Sequence, residues 1–302
     1  MLQLFQSLRY RMLAYAVTGS ALWGLSGTVS SILFSRYGMP FSTLVTMRMV
    51  FSGIILLAMG RGFVGRRDLP LFLVFAIPGL FGVQILYLAT ISFSNAPVAT
   101  LLQFLFFPIV AIYDYMIYRS LGLSPLILAL TFSILGIYEL TTGFPFSGIS
   151  VRISFIALVL GLATAAAAAL YTITSSRIVK EYGGLKTVAS GMIVGGIVSV
   201  PMGSYSGISY FQNIDMAQII PVVSLTLFVI IFGTALAFYL YISSMRYISP
   251  VEAAVSGTLE PLAAAVSSYL ALGIRLSPMQ YVGGILIVIS ILVIVLAKNR
   301  NG

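Results

Sequence analysis

Long apolar stretches follow one another along the chain, separated by short polar or charged connections. Each stretch is close to the roughly 20 residues that an α-helix needs to cross a bilayer. Lipid offers no hydrogen bonds to an open backbone, and barrel-type alternation of polar and apolar residues is absent, so the pattern predicts helices. The ten predicted spans cover about residues 13–35, 41–60, 69–91, 96–118, 125–143, 154–179, 186–204, 219–243, 250–272 and 279–297.

The composition leads to the same class. Of 302 residues, 60% are hydrophobic and 8% are charged, whereas soluble domains carry about 25% charged residues. The chain contains no cysteine and no histidine, which removes thiolate chemistry and the usual zinc or haem ligands, so neither a metal nor a cofactor is expected. A net charge of +9 would suggest nucleic acid in a soluble protein. Here the cations lie between spans, so no nucleic-acid partner is expected and membrane lipid is the predicted surrounding.

The cations also predict an orientation, because positive residues favour cytoplasmic loops. With the N-terminus inside, an even number of spans places both termini in the cytoplasm, and twelve cations face inwards against three outwards. The sequence therefore predicts a multi-pass protein of the cytoplasmic (inner or plasma) membrane. The inner set is Arg9, Arg11, Arg61, Arg66, Arg67, Arg119, Arg177, Lys180, Lys186, Arg246, Lys298 and Arg300, and the outer set is Arg36, Arg152 and Arg275.

The chain repeats itself at an offset of 153 residues. Because each half holds an odd number of spans, the second half enters the membrane from the opposite side, as in many transporters that work by alternating access. We predict one five-helix repeat over 1–147 and an inverted one over 148–302; the alternative is an old duplication in a protein that transports nothing. The matching pairs are Pro97-Val98 with Pro250-Val251, Pro108 with Pro261, and Leu123-Ser124-Pro125 with Leu276-Ser277-Pro278.

Several local sequences support a family resemblance. They are Leu22-Trp23-Gly24, Arg48, Ala96-Pro97-Val98-Ala99, Leu259-Glu260-Pro261-Leu262 and Gly283-Gly284. On these residues the chain resembles the drug/metabolite transporter superfamily, in its EamA-like branch. The resemblance implies an all-α protein of ten helices, built from two inverted EamA-like repeats around a central substrate cavity. It also implies transport of amino acids, other metabolites or drugs, mostly outwards. Gly122 and Arg275 depart from the family, since relatives often carry an acidic residue shortly before the Ser-Pro pairs.

Glu260 is the sharpest candidate for a functional charge. It lies 11 residues after Ser249, roughly 16 Å along a helix and so near the membrane midplane. A charge at that depth is costly, which makes it a functional hypothesis by default. Pro261 and Pro108 cannot donate to the carbonyls of Gly257 and Phe104, so we expect helix kinks that leave these carbonyls free for a solute or a proton site. The alternative is a protonated Glu260 that only bonds a neighbouring helix.

The other charges within spans allow two interpretations each. Arg48 and Glu139 lie at similar predicted depths, so they either form a buried pair or leave Arg48 to bind a solute carboxylate. Asp114 and Glu252 lie near cytoplasmic helix ends, where cations or water are expected partners. Asp114 is also flanked by tyrosines, which would suit an organic cation or an ordinary interfacial belt.

A set of polar and aromatic residues within spans predicts the cavity lining. Each member alone could serve helix packing instead of binding a ligand. The set comprises Trp23, Gln84, Tyr87, Gln103, Phe107, Tyr171, Tyr239 and Glu260.

The functional prediction is a secondary transporter of small organic solutes. It favours export of amino acids or related metabolites, with protons as a candidate coupling ion, and the alternative is a carrier of organic cations, quaternary amines or drugs. No histidine serves a serine nucleophile and no phosphate-binding loop occurs, so neither an enzyme nor an ATP-driven pump is expected. A channel would share the same hydropathy.

Overall fold

The computed structural model describes residues 2–60, 62–118, 121–142, 153–245, 247–248 and 256–300. Within these ranges the chain is helical and contains no strand. The helices are α1 Leu2–Ser35, α2 Phe41–Gly60, α3 Leu69–Phe93, α4 Ala96–Ile117, α5 Leu123–Thr142, α6 Phe155–Tyr182, α7 Gly184–Asn213, α8 Met216–Ser244, α9 Leu259–Leu272 and α10 Pro278–Arg300.

The lengths of these helices support the predicted membrane crossings. In the described ranges, nine helices are long and apolar enough to span a bilayer, and α9 is a shorter apolar helix. The prediction of ten transmembrane helices is confirmed, with α9 as the one whose described part is shorter than a full span. Residues 249–255, which precede α9 in the predicted ninth span, lie outside the described residues.

Polar side chains cap several helix starts. Asn95 Oδ1 accepts from the amide of Val98 at the start of α4, and Asp215 Oδ1 accepts from Ala217 at the start of α8. At α10 the pairing is reciprocal, because Ser277 Oγ accepts from Gln280 N and Gln280 Oε1 accepts from Ser277 N. Such capping boxes satisfy amides that the helix leaves unpaired. Ser277 is thus the N-cap of α10, and Pro278 is its first helical residue.

The helix contacts follow the internal repeat. α2 packs against α7 and α5 against α10, so each of these helices contacts its own counterpart in the other half. α1 packs against α8 and α9, and correspondingly α6 packs against α3 and α4. These pairings are conserved when the first five helices are exchanged with the last five, which is the pseudo-two-fold symmetry of an inverted repeat.

The interface between α2 and α7 depends on small residues and hydroxyl groups. Thr46 Oγ1 donates to the carbonyl of Ser199 at 3.0 Å, and the Ser42 and Ser206 hydroxyls bond at 2.8 Å. A Cβ atom placed on Gly203 would overlap Thr46. Small residues allow such close backbone approach in membrane bundles, where no hydrophobic force drives helices together.

Four helices are interrupted at repeat-equivalent levels. α4 is broken by a turn at Phe104–Leu105, and α9 follows a turn at Thr258, 153 residues beyond Leu105. α3 and α8 each contain a π-helical turn, Phe75–Phe81 and Ile231–Leu236. Pro78 lies within the π-helical turn of α3 and removes an amide donor from that helix. π-turns are frequent at functional sites, so these interruptions direct attention to the middle of the bundle.

The two ends of the bundle differ in charge. We call the end with connections 36–40, 94–95, 214–215 and 273–277 the α1–α2 end, and the end with 62–68 and 183 the α2–α3 end. Tyr210 Oη donates to the carbonyl of Tyr37 at the α1–α2 end, and Tyr182 Oη donates to Asp68 at the α2–α3 end. Arg67, Arg177, Lys180 and Lys186 lie at the α2–α3 end, and Arg36 and Arg275 lie at the other.

Some predictions concern residues that lie outside the described ranges. Both the repeat boundary at 147/148 and the counterpart Pro250-Val251 fall there and stay predictions. So do Glu252, Arg61, Arg119, Arg152 and Arg246, and the side chains of Arg9, Arg66, Lys298 and Arg300.

Candidate functional site

Arg48 is held within the bundle by the π-turn of α8. Its side chain is 5% exposed, and its Nε donates to Thr234 Oγ1 at 2.7 Å. Thr234 Oγ1 in turn donates to the carbonyl of Val229, five residues back, at 2.7 Å. The widened turn leaves carbonyls without their usual amide partners, and Ser52 Oγ takes the next one, Ile230 O, at 2.9 Å. One edge of the guanidinium is therefore fixed, while its terminal nitrogens donate no hydrogen bond to any described residue.

Glu260 lies in the first turn of α9, directly after the break at Thr258. Its side chain is 7% exposed, and Arg48 lies within its electrostatic reach. The helix before it stops at the turn, so Glu260 sits where the amide donors of a helix start are concentrated, which favours a carboxylate. Among the described residues its carboxylate accepts no hydrogen bond, and it does not approach Arg48 within 4.0 Å.

The glycines of α1 let three helices converge at these charges. A Cβ on Gly24 would overlap the carbonyl oxygen of Glu260 in α9. A Cβ on Gly19 would lie 2.9 Å from the carbonyl of Ala237 in α8, and one on Gly27 would lie 2.7 Å from the hydroxyl of Tyr87 in α3. Real Cβ atoms do not make such contacts, so these glycines determine how closely α1 approaches its neighbours.

Aromatic rings surround the two charges. The ring of Trp23 lies 4.9 Å from each of the rings of Phe238 and Tyr241. Tyr87 is bonded through its hydroxyl to Thr100 Oγ1 at 3.0 Å and lies within electrostatic reach of both Arg48 and Glu260. Tyr241 lies within the same reach of Glu260 and of Tyr171. The indole Nε1 of Trp23 is buried and has no hydrogen-bond partner within the described part of the chain.

Four of the predicted lining residues therefore come together with Arg48. Trp23, Tyr87, Tyr171 and Glu260 form the cluster described above. Gln84 lies one turn before Tyr87 on α3, is 5% exposed, and makes no hydrogen bond to a described residue. We call Trp23, Arg48, Tyr87, Tyr241 and Glu260 the central cluster.

No hydrogen bond, ion pair or ring contact in the described part of the chain joins the three other predicted lining residues, Phe107, Tyr239 and Gln103, to Arg48 or Glu260. Phe107 packs with Phe104 and Phe106 in a separate apolar cluster next to α5 and α10. Tyr239 is half-buried against the same apolar core as Trp23, whereas the α8 rings that contact Trp23 are those of Phe238 and Tyr241. Gln103 is half-buried directly before the break in α4, and no contact in the described part of the chain joins it to Arg48 or Glu260.

Arg48 and Glu139 do not form an ion pair in the described structure. Similar depth made the pair plausible, but α5 packs chiefly against α10, away from α2. A Cβ on Gly283 of α10 would lie 3.2 Å from the Cβ of Glu139, and among the described residues Glu139 Oε2 is buried without a hydrogen-bond partner. Binding of a solute carboxylate by Arg48 stays a prediction.

Asp114 lies away from the central cluster. It follows Thr100 by 14 residues, roughly 21 Å along α4, near the α2–α3 end. The acid is buried, and the neighbouring rings of Tyr113 and Tyr118 contact each other. Among the described residues, no three metal-ligating side chains converge there or elsewhere.

The prediction about the kinks is partly wrong. Interruptions do occur before Pro108 and Pro261, at Phe104–Leu105 and at Thr258. However, the carbonyl of Phe104 is not free, since it accepts from the amide of Phe107 at 3.1 Å. The chain closes the break with a tight i to i+3 bond, a common way to satisfy carbonyls where an α-helix stops. Free backbone at Gly257 stays a prediction.

A cavity of about 460 Å³ opens at the α1–α2 end, beside rather than within the central cluster. It lies between the ends of α1, α3 and α9 and the start of α2, and its lining is apolar with several serine hydroxyls. At the repeat-equivalent place on the opposite end, α7 begins in close contact with α8, where a Cβ on Gly184 would lie 2.6 Å from Ile242. At these two equivalent places, the described residues leave a cavity at the α1–α2 end and pack closely at the α2–α3 end.

Comparison with known proteins identifies the family. The model of the EamA-like transporter family matches residues 11–142 and again residues 155–296. The chain belongs to the EamA-like transporter family. The two matches fall on α1–α5 and α6–α10 and agree with the pseudo-two-fold packing.

Relatives of this EamA-like transporter support the assignment. The chain is 31% identical to the uncharacterized inner membrane transporter YicL of Salmonella typhimurium strain LT2, over 93% of this chain and 94% of that one. A protein of known crystal structure, 18% identical, matches with a TM-score of 0.61 over 96% of this chain and 98% of its own, which supports the fold alone. The protein is thus a multi-pass membrane transporter of small solutes.

Residues that sequence reasoning missed belong mainly to α8. Thr234, Phe238 and Tyr241 all contact the predicted cluster, yet none stood out among the apolar and hydroxyl residues of that span. The π-turn shifts the helical register between Thr234 and the residues before it, so a constant 3.6-residue period gives the wrong face.

Proposed function

We propose that this protein is a secondary active transporter that exports amino acids or related metabolites across the cytoplasmic membrane by alternating access. The observation that carries the proposal is the pair Arg48 and Glu260. Two opposite charges lie more than nine-tenths buried in the middle of an inverted repeat, without a direct ion pair between them in the described structure. Charges that are buried at membrane depth and not consumed by each other mark solute or ion pathways.

The chemistry of the central cluster suits a zwitterion. The guanidinium of Arg48 presents a planar fork that matches a carboxylate, and one of its edges is already fixed by Thr234. Glu260 can accept an ammonium group or a proton. The rings of Trp23 and Tyr241 provide an apolar wall for a side chain.

Access would alternate between the two ends. A cavity lies between the start of α2 and the end of α3. The equivalent gap between the start of α7 and the end of α8 is filled, because Gly184 packs against Ile242 there. Asp68 strengthens the closed end, because it accepts a hydrogen bond from Tyr182 at 3.2 Å and lies 3.8 Å from Arg177. Exchange of these two arrangements between the halves would expose the site to the other side.

The cations assign the ends to membrane sides in this proposal. Of the described cations near the two ends of the bundle, the α2–α3 end carries the larger number, so it would face the cytoplasm. Both termini would then be cytoplasmic, and the open cavity would face outwards.

One observation favours a second candidate, a carrier of organic cations or drugs that is coupled to protons. Trp23 and Tyr241 form an aromatic wall beside Glu260, and aromatic faces with an acid bind quaternary amines. Arg48 opposes this candidate, since it places a positive charge within electrostatic reach of the same acid.

Counterflow in liposomes separates the candidates. We expect proteoliposomes that are preloaded with an unlabelled amino acid to accumulate the labelled amino acid from outside. The substitutions R48Q and E260Q should abolish this accumulation. R275Q and E139Q serve as matched controls, because Arg275 is exposed at a connection and Glu139 is an acid packed between α5 and α10. Accumulation of quaternary amines with no amino-acid counterflow would establish the second candidate instead.

A further inference from the structure

The central cluster contains one positive and one negative charge, and the described structure brings no third charge to them. The titratable groups within electrostatic reach of Glu260 are Arg48 from α2, Tyr87 from α3 and Tyr241 from α8. Tyrosine carries no charge near neutral pH. Glu260 and Arg48 together are therefore neutral when Glu260 is ionised.

Other charges on the helices that pack here lie at the helix ends. On α1, Arg36 follows Gly24 by 12 residues, roughly 18 Å along the helix, and Arg11 precedes it by 13. On α4, Asp114 lies near the α2–α3 end. None of these side chains can compensate a charge that is added beside Glu260.

Burial makes this neutrality costly to disturb. Arg48 is 5% exposed and Glu260 is 7% exposed, so water screens them poorly. The terminal nitrogens of Arg48 donate no hydrogen bond within the described residues, and the carboxylate of Glu260 accepts none there. Both groups are thus available to a solute or to a proton.

We infer that the central cluster keeps its net charge at zero, so that the net charge of the solute sets the number of protons bound with it. A solute with one carboxylate and no amine pairs with Arg48 while Glu260 takes up one proton from solvent. A zwitterion places its carboxylate at Arg48 and its ammonium at Glu260, and binds without a proton. This inference rests on the proposed function, namely that solutes bind at the central cluster.

The charge of the solute then determines whether a pH gradient can drive its transport. A monocarboxylate moves together with one proton, so a pH gradient drives its transport without movement of net charge. A zwitterion moves without a proton, so the same gradient leaves its distribution unchanged. A simple amine is rejected, because it adds a positive charge that no described group can balance.

The test compares pairs of compounds that differ only in the amino group. Purified full-length protein in a weakly buffered solution with a pH indicator is titrated with L-leucine and with 4-methylpentanoate, and then with L-phenylalanine and with 3-phenylpropanoate. We expect about one proton taken up per bound monocarboxylate and about none per bound amino acid. The affinity for the monocarboxylate should fall about tenfold per pH unit wherever that proton is taken up.

Two variants identify the group that takes up the proton. E260Q should bind the monocarboxylates without proton uptake, and their affinity should no longer depend on pH. E139Q, which changes a half-buried acid outside the central cluster, should behave like the wild type. If E260Q does not fold, the comparison of the two compounds in the wild type still decides the point.

Each result has a definite meaning. Monocarboxylate binding without proton uptake, unchanged uptake in E260Q, or binding of the amino acids alone overturns the charge-balance inference and leaves the proposed function standing. Failure of both compound classes to bind refutes the proposed amino-acid function and, with it, this inference.

Discussion

Nε of Arg48 donates a hydrogen bond to Oγ1 of Thr234 across 2.7 Å, between α2 and the π-turn of α8. The same hydroxyl donates to the carbonyl of Val229, so its single proton is used and its lone pair faces the guanidinium. This relay fixes the direction in which Arg48 points. A change in the turn of α8 is thereby transmitted directly to the candidate solute-binding charge.

Replacement of Thr234 by valine should uncouple Arg48 from α8. The variant keeps the shape of the side chain but leaves a buried charged donor without its acceptor, at a cost of about 1–3 kcal/mol. We expect a lower unfolding temperature in detergent and weaker binding of amino acids by isothermal titration. T226V is the matched control on the same helix, because the Thr226 hydroxyl meets only the sulfur of Met39 at 3.9 Å. Equal effects of the two substitutions would contradict this role of Thr234.

Alanine at Gly24 should separate α1 from α9. The added methyl group would overlap the carbonyl of Glu260 and lie 2.8 Å from Ala263, and overpacking of this kind costs about 1–3 kcal/mol. Transport should fall with stability, since the shift moves Glu260 away from Arg48. G122A provides the comparison, because a Cβ there meets only Pro125 at an ordinary 3.5 Å. If G24A retains wild-type stability and counterflow, the close approach of the two helices is not required.

A disulfide between α7 and α8 should lock the α2–α3 end. A Cβ at Gly184 would lie 3.9 Å from that of Ile242, which suits a disulfide, and the chain has no cysteine of its own. Oxidation of the G184C/I242C double variant should stop counterflow, and reduction should restore it. The two single-cysteine variants, oxidised in the same way, control for chemical damage. Full transport by the oxidised double variant would refute alternating access through this gap.

Thiol labelling of intact cells tests the orientation. A cysteine in place of Ser92, which lines the cavity at the α1–α2 end, should react with a membrane-impermeant maleimide added outside. A cysteine in place of Ser176, which is exposed near the α2–α3 end, should react only after the cells are permeabilised. The reverse pattern would place the termini outside and invert the proposed direction of the open cavity.

Hydropathy located the helices well but not all of their ends. α7 was predicted to end near residue 204, yet it continues to Asn213. The extra turns contain Ser206, whose hydroxyl bonds both Ser42 and Thr43 of α2. Hydropathy measures preference for lipid, whereas this segment is helical because a neighbouring helix satisfies its polar groups.

The sequence predicted the residues of the candidate site most sharply where a charged side chain falls within an apolar span. Arg48 and Glu260 stand out because a charge in an apolar span requires a reason. Phe107 was selected as the repeat counterpart of Glu260, but equivalence in a repeat does not make two environments alike, and the structure places it in a separate apolar cluster.

The sequence by itself determined the class of the protein, its spans, its inverted duplication and its family, because each depends on apolarity, charge or motifs that are readable along one dimension. Tertiary structure alone decided that Arg48 belongs with Thr234 and Glu260 rather than with Glu139. Helix depth can be counted from the chain, but which helices are neighbours depends on close packing at glycines and on the register shift of a π-turn. Those are properties of several helices together, and no single span contains them.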